Sequence, residues 1–134
     1  MDKDIIIRHS AASMAYIGDA VFELYVREML LSRGNKSVHD LNKQALNYVS
    51  AAAQAAMYYN ILPVLTLHEK SIMKRGRNLH SQSRAKNANT AEYRHATGLE
   101  TLFGYLFLKN EHDRIKEIFE NCVNMKEPEN VTEL

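Results

Sequence analysis

Two apolar runs with helical spacing dominate the chain, and each carries an acid well inside it. The first, Met14 to Arg27, places Asp19 and Glu23 one turn apart and Arg27 one turn further on. The second, Leu99 to Leu108, holds a single acid, Glu100. Around these runs the polar punctuation predicts five main helices. Ser10 caps a helix over 11–32, with Met14, Ile17, Val21, Leu24 and Leu31 in one apolar line and Phe22, Tyr25 and Met29 in another. Gly34 suits the left-handed position beyond its end. Ser37 caps a second helix reaching about Asn60, whose alanine-rich middle predicts a tightly packed central helix. Thr66 and Glu69 form a capping-box pattern opening a short helix to about Arg75. Thr90 opens a helix through Leu108 that contains Gly98 and Gly104, which a helix tolerates where a neighbour must come close. Asn110 to Asn124 is amphipathic, with Ile115, Ile118, Phe119 and Val123 as its stripe.

The fold class expected is therefore all-α, one domain over 1–134, with 1–9 and 125–134 as its less ordered ends. Composition agrees: the chain is 46% hydrophobic and 25% charged, with only two prolines and five glycines to interrupt helices. One cysteine, Cys122, excludes an internal disulfide framework and fits a reducing cytoplasm. No basic segment followed by a long apolar one opens the chain and no run matches a membrane span, so neither a secretory signal nor a membrane is expected.

A net charge of +1 hides a segregated distribution. Between Lys70 and Glu92 there is no acid, while Lys74, Arg75, Arg77, Arg84 and Lys86 fall there, and Arg94 follows in the next helix. The stretch from Gly76 to Asn89 is polar and aperiodic, long for a loop in a compact domain. Its basic and amide side chains, Asn78 among them, are the donors phosphate oxygens require. A solvated loop without a partner is the plain alternative. With no base-reading motif, a nucleic-acid ligand would be a duplex recognised by shape and backbone.

The acids have plain readings too. Gly18-Asp19 could be a turn, Glu23 and Arg27 an ordinary surface ion pair, and Glu100 a carboxyl satisfied by a core hydroxyl or an arginine. An unpartnered buried carboxylate is expensive, so metal binding is the other way to satisfy one. Mg²⁺ takes oxygen ligands, often only one or two carboxylates, and offsets charge on a phosphate under attack. Asp19 and Glu100 would be its ligands. The six histidines show no zinc spacing with Cys122, and no phosphate-cradling glycine loop or nucleophile elbow is present.

Several segments together resemble the Mini-ribonuclease III family, bacterial ribonuclease III relatives that consist of the catalytic domain alone. These are 15–27 (Ala-Tyr-Ile-Gly-Asp-Ala-Val-Phe-Glu-Leu-Tyr-Val-Arg), Val49-Ser50-Ala51 with Gln54-Ala55, Lys74-Arg75-Gly76-Arg77-Asn78, Lys86-Asn87, Tyr93-Arg94, and 100–108 (Glu-Thr-Leu-Phe-Gly-Tyr-Leu-Phe-Leu). The resemblance implies a ribonuclease III-type endonuclease working as a two-fold homodimer. It would cut double-stranded RNA with Mg²⁺ to 5′-phosphate and 3′-hydroxyl ends, in trimming a stem of the 23S rRNA precursor. It implies Asp19 and Glu100 as catalytic acids and metal ligands, and Lys74, Arg75, Arg77, Asn78, Arg84, Lys86 and Arg94 as the RNA-contacting set. Larger ribonuclease III enzymes carry a Glu where this chain has Ala15 and an Asp where it has Thr97, so Thr97 could act through a water and Glu23 stands as a further ligand candidate. The alternative is a non-catalytic RNA- or ribosome-binding module on the same helical fold.

Overall fold

A computed structural model describes residues 9–34, 36–79 and 90–126. The expectations for Arg84, Lys86 and most of the ends of the chain lie outside them. Among the described residues there are six α-helices and no strand: α1 (Ala11–Ser32), α2 (Val38–Val49), α3 (Ala51–Ile61), α4 (Leu67–Arg77), α5 (Thr90–Leu108) and α6 (His112–Lys126). A short 3-10 turn, Leu62–Val64, joins α3 to α4.

The caps do what their side chains predict. Ser10 accepts from the Ser13 N–H at 3.0 Å and Ser37 from the Asp40 N–H at 3.1 Å. Thr66 and Glu69 close the reciprocal capping box, at 3.0 and 2.9 Å. Arg33 ends α1, and Gly34 follows with φ +144°, a value side-chain-bearing residues rarely adopt.

The structure corrects the reading in four places. The segment predicted as one helix to Asn60 is broken at Ser50, which is extended (ψ 157°) and caps a new helix by accepting from the Ala53 N–H at 3.2 Å. Six helices result, not five. Helix α4 extends through Gly76 and Arg77, so these are helical rather than loop. On α1, Leu24 and Leu31 are exposed, and Val26 and Leu30 fill the buried line instead. The central helix is α5, not the alanine-rich segment: Ala96, Gly98, Leu99 and every residue from Thr101 to Leu106 are buried. A helix apolar on all sides belongs in the middle, and α1, α3 and α4 all lie against it. Phe22 of α1 packs edge-on to Phe103 of α5 and to Phe119 of α6, tying the outer helices to that centre.

Helix α6 is fastened by charge as well as by its apolar stripe. Arg114 forks onto both Glu69 carboxylate oxygens at 2.8 and 2.7 Å, and donates also to Glu117 (2.9 Å) and the Val64 carbonyl (2.8 Å). Burial pushes the Glu69 carboxyl up, but the Arg114 and Thr66 hydrogen bonds outweigh it and hold the group below its ordinary value. Replacing Arg114 with Ala leaves Glu69 buried without its cation. We expect a loss of about 2–3 kcal/mol, trimmed from the fully buried figure because Arg114 is partly exposed. Urea unfolding measures it; an unchanged midpoint would show the pair to be ornamental.

Candidate active site

Helices α1 and α5 cross with their backbones nearly touching, and two glycines make that possible. A Cβ on Gly18 would sit on the Glu100 carbonyl oxygen and 2.8 Å from the Gly104 nitrogen. A Cβ on Gly104 would sit on the Met14 carbonyl oxygen and 3.1 Å from the Gly18 nitrogen. With no side chain at either position, Asp19, next to Gly18, is brought against Glu100. The two acids, 81 positions apart in the chain, come close enough for the Asp19 carboxyl to act on that of Glu100. Asp19 is exposed and Glu100 is partly so; the pair therefore opens to solvent on one side.

This proximity has an electrostatic signature. The Glu100 carboxyl is pushed up to about 8, first by burial and then by the charge of Asp19 beside it, with a Gln54 hydrogen bond pulling the other way. Two carboxylates that crowd each other in a partly buried place form a site that a cation would relieve. The donor set is all oxygen, which suits a hard ion such as Mg²⁺. Among the described residues no group of three or more His, Cys, Asp or Glu side chains is placed to hold a metal, so protein ligation would rest on the two carboxylates, with water filling the other positions.

The other candidates separate. Glu23 is bound by Arg27 at 2.8 Å on a largely exposed helix face, the plain ion-pair reading. Thr97 donates its hydroxyl proton to the Tyr93 carbonyl at 3.0 Å, inside α5. Lys74 and Arg75 are exposed in the last turn of α4, where cations are favoured by the helix dipole. Arg77 is half-buried; it donates to Asn78 Oδ1 at 3.2 Å, and its charge partly offsets the upward push of burial on the Tyr58 phenol. Arg94 is exposed near the start of α5.

A second pair of glycines brings this basic end to the acids. A Cβ on Gly76 would strike the Thr101 side chain, and one on Gly98 would lie 2.7 Å from the Met73 carbonyl oxygen. The last turn of α4 is thus held against the stretch of α5 on either side of Glu100. Two contributions were not anticipated from sequence. One is Gln54, 3% exposed, whose side chain acts on Glu100 against the upward push of burial and Asp19. The other is the Tyr58–Arg77 contact. A lone amide in an alanine-rich stretch was the available signal for Gln54.

Comparison with known proteins agrees with this geometry. The family model of the Ribonuclease III domain matches residues 12–111. A Mini-ribonuclease 3 of Symbiobacterium thermophilum is 43% identical over 86% of this chain and 88% of its own length. One from a Thermoanaerobacter species is 39% identical over 95% and 89% respectively. A crystal structure of a Fusobacterium nucleatum protein superposes with a TM-score of 0.80 at 30% identity, covering 93% of this chain and 99% of that one. A glycine-mediated helix crossing that joins two acids, a basic helix end beside it, and relatives of this similarity over nearly the whole length together place the chain in the Mini-ribonuclease 3 group of the ribonuclease III family, as an endoribonuclease.

Proposed function

We propose that this endoribonuclease cleaves double-stranded RNA with Mg²⁺ held by Asp19 and Glu100, its cytoplasmic substrate being a stem of the 23S rRNA precursor. The observation that carries the reading is the meeting of those two carboxylates across the α1–α5 crossing. When bound, Mg²⁺ supplies charge neutralisation and Lewis acidity to the scissile phosphate. The chain's own part is to hold two oxygens in register, through backbone contacts too tight to slip, and to bring the phosphodiester beside them. Lys74, Arg75, Arg77, Asn78 and Arg94 would grip the backbone, with Arg84 and Lys86 from the segment beyond α4. Products would carry 5′-phosphate and 3′-hydroxyl ends. Thr97 would act, if at all, through a water, and Glu23 is better assigned to Arg27. The whole of 1–134 would serve as one catalytic domain.

A homodimer belongs to the same proposal. Tyr16, Ala20, Leu24 and Leu31 line one exposed face of α1, with Tyr16 at 85% and both leucines at 64% exposure. Such a stripe on one face is unusual for a surface meant to meet only water. A two-fold pairing would bury it and supply one site per strand of a duplex. Among the described residues no helix is long and apolar enough to cross a membrane.

The test is cleavage of a 23S-precursor stem duplex with Mg²⁺ and with EDTA. Cutting that needs the ion, with 5′-phosphate ends, is expected; cutting unaffected by EDTA would overturn the metal assignment. In parallel, replacing Lys74, Arg75 and Arg77 with Gln should weaken duplex binding and lower its salt slope by nearly three, because each lost phosphate contact removes nearly one. An unchanged slope would take that helix end out of the interface.

A further inference from the structure

We infer that Tyr59, in the last turn of α3, accepts a hydrogen bond from a ribose 2′-hydroxyl of the RNA duplex, with His95 of α5 as the positioning residue that keeps the Tyr59 oxygen an acceptor. The inference rests on the proposed reading that the chain binds double-stranded RNA. Tyr59 is 56% exposed, yet its ring is not left to turn freely. Its hydroxyl meets His95 Nε2 at 2.9 Å, and the two rings lie 4.8 Å apart at 37°. His95 Nδ1 is in turn 2.6 Å from the Ala91 carbonyl oxygen. Tyr58 closes the group, edge-on to Tyr59 at 5.4 Å and to His95 at 4.7 Å. An exposed group held this stiffly loses little further freedom when a ligand arrives.

The hydrogen bonds fix what the hydroxyl can offer. A carbonyl oxygen only accepts, so Nδ1 carries the ring proton and donates it to Ala91. In the neutral ring Nε2 is then an acceptor, and the Tyr59 O–H donates to it. The phenol oxygen keeps its lone pairs, and no donor among the described residues takes them. Phosphate oxygens also only accept, so such a group has nothing to give them. A ribose 2′-hydroxyl can donate, and the wide minor groove of A-form RNA displays a row of them. Location supports the same ligand. Tyr58 is 4% exposed, and its ring lies 2.9 Å from where a Cβ on Gly98 would stand, with the Arg77 backbone nitrogen 3.3 Å from the same point. Tyr59 and His95 are thus tied to the place where the basic end of α4 meets α5, and the exposed Arg94 directly precedes His95. Phosphate contacts at that end would bring the duplex up to Tyr59. A 2′-hydroxyl contact adds what phosphates cannot supply, a distinction of RNA from DNA.

The test measures duplex affinity in EDTA for native protein, Tyr59→Phe and His95→Phe, on an all-RNA stem and on the same stem with 2′-fluoro in place of the 2′-hydroxyls. Tyr59→Phe keeps the ring and should bind the RNA stem about fivefold more weakly, yet bind the 2′-fluoro stem as native protein does. His95→Phe keeps a ring beside Tyr59 but frees its proton, and should lose most of the same discrimination. An equal loss by Tyr59→Phe on both stems, or no loss on RNA, overturns the contact. A Tyr59→Phe loss that vanishes when inosine replaces guanosine assigns the phenol to the 2-amino group of a base, and overturns it as well. A His95→Phe protein that discriminates as the native one does overturns the positioning role. If the variants do not fold, the native protein decides. Nitrogen NMR should show His95 protonated at Nδ1, with ring signals that move on adding the all-RNA stem and move less with the 2′-fluoro stem. A proton on Nε2 instead, or equal movement with both stems, rejects the inference. Native protein without affinity for the RNA stem would bring down the underlying duplex-binding reading, and this inference with it. Native duplex binding that Tyr59→Phe leaves untouched removes Tyr59 alone.

Discussion

Asp19→Asn should cut duplex RNA about a thousandfold more slowly and yet be more stable than the native chain at pH 8 when metal is absent. Asn keeps the shape of Asp but not its charge, so several kcal/mol of charge complementarity toward a divalent ion and the phosphate disappear. Stability moves the other way because the native pair is self-repelling. The Glu100 carboxyl lies at about 8 in the folded protein, through burial and then through Asp19. In the unfolded chain the same group ionises near 4.5. Folded protein thus retains a proton that the unfolded chain has released. The metal-free protein loses stability as pH rises from about 4.5 to about 8. The full shift would correspond to roughly 5 kcal/mol at 1.36 kcal/mol per pH unit. Partial exposure of the site reduces what is expected to about 1–2 kcal/mol. Asp19→Asn removes the like charge and should flatten this decline. Urea unfolding at pH 5 and pH 8 in EDTA, beside single-turnover cleavage in Mg²⁺, reads both arms. Native-like cutting by the variant, or native stability equal at the two pH values, would contradict the account.

Gly18→Ala is expected to cost about 3 kcal/mol or more and to abolish activity together with Mg²⁺ binding. The added methyl would meet the Glu100 carbonyl oxygen and the backbone nitrogen of Gly104, not the pliable tip of a side chain. Overpacking a well-filled core costs 1–3 kcal/mol when neighbours can adjust, and here the neighbour is a helix backbone, so the upper end or beyond applies. Relief requires the helices to move apart, and moving apart separates Asp19 from Glu100. Gly104→Ala should reproduce both losses from the other side, through the Met14 carbonyl. Measured unfolding midpoints and Mg²⁺ titrations should fall together. A stable Gly18→Ala that binds Mg²⁺ normally would show that the crossing is looser than described.

Much of this was readable before any coordinates. Caps at Ser10, Ser37 and Thr66, and the starts of α1, α2 and α4, follow from side chains that hydrogen-bond a helix N-terminus within three residues. The break at Ser50 was not legible. Ser50 is followed by alanines with high helix propensity, and its capping geometry wins only because α3 gains contact with α5. Leu24 and Leu31 continue the periodicity of α1 but face outward, since repetition along a helix cannot say how wide a stripe the neighbours cover. The partner of Arg114, Glu69, is 45 residues away, a distance no local pattern spans.

The local facts, then, belong to the sequence: which segments are helical, where they start, and which two acids stand in apolar surroundings. Those depend on spacing within a few residues. The tertiary structure alone decided that α5 is the centre, that Gly18 and Gly104 let two backbones meet, and that Asp19 is brought against Glu100. Each of these is a contact between distant parts of the chain, set by which shapes fill the same space, and no periodicity along one helix records it.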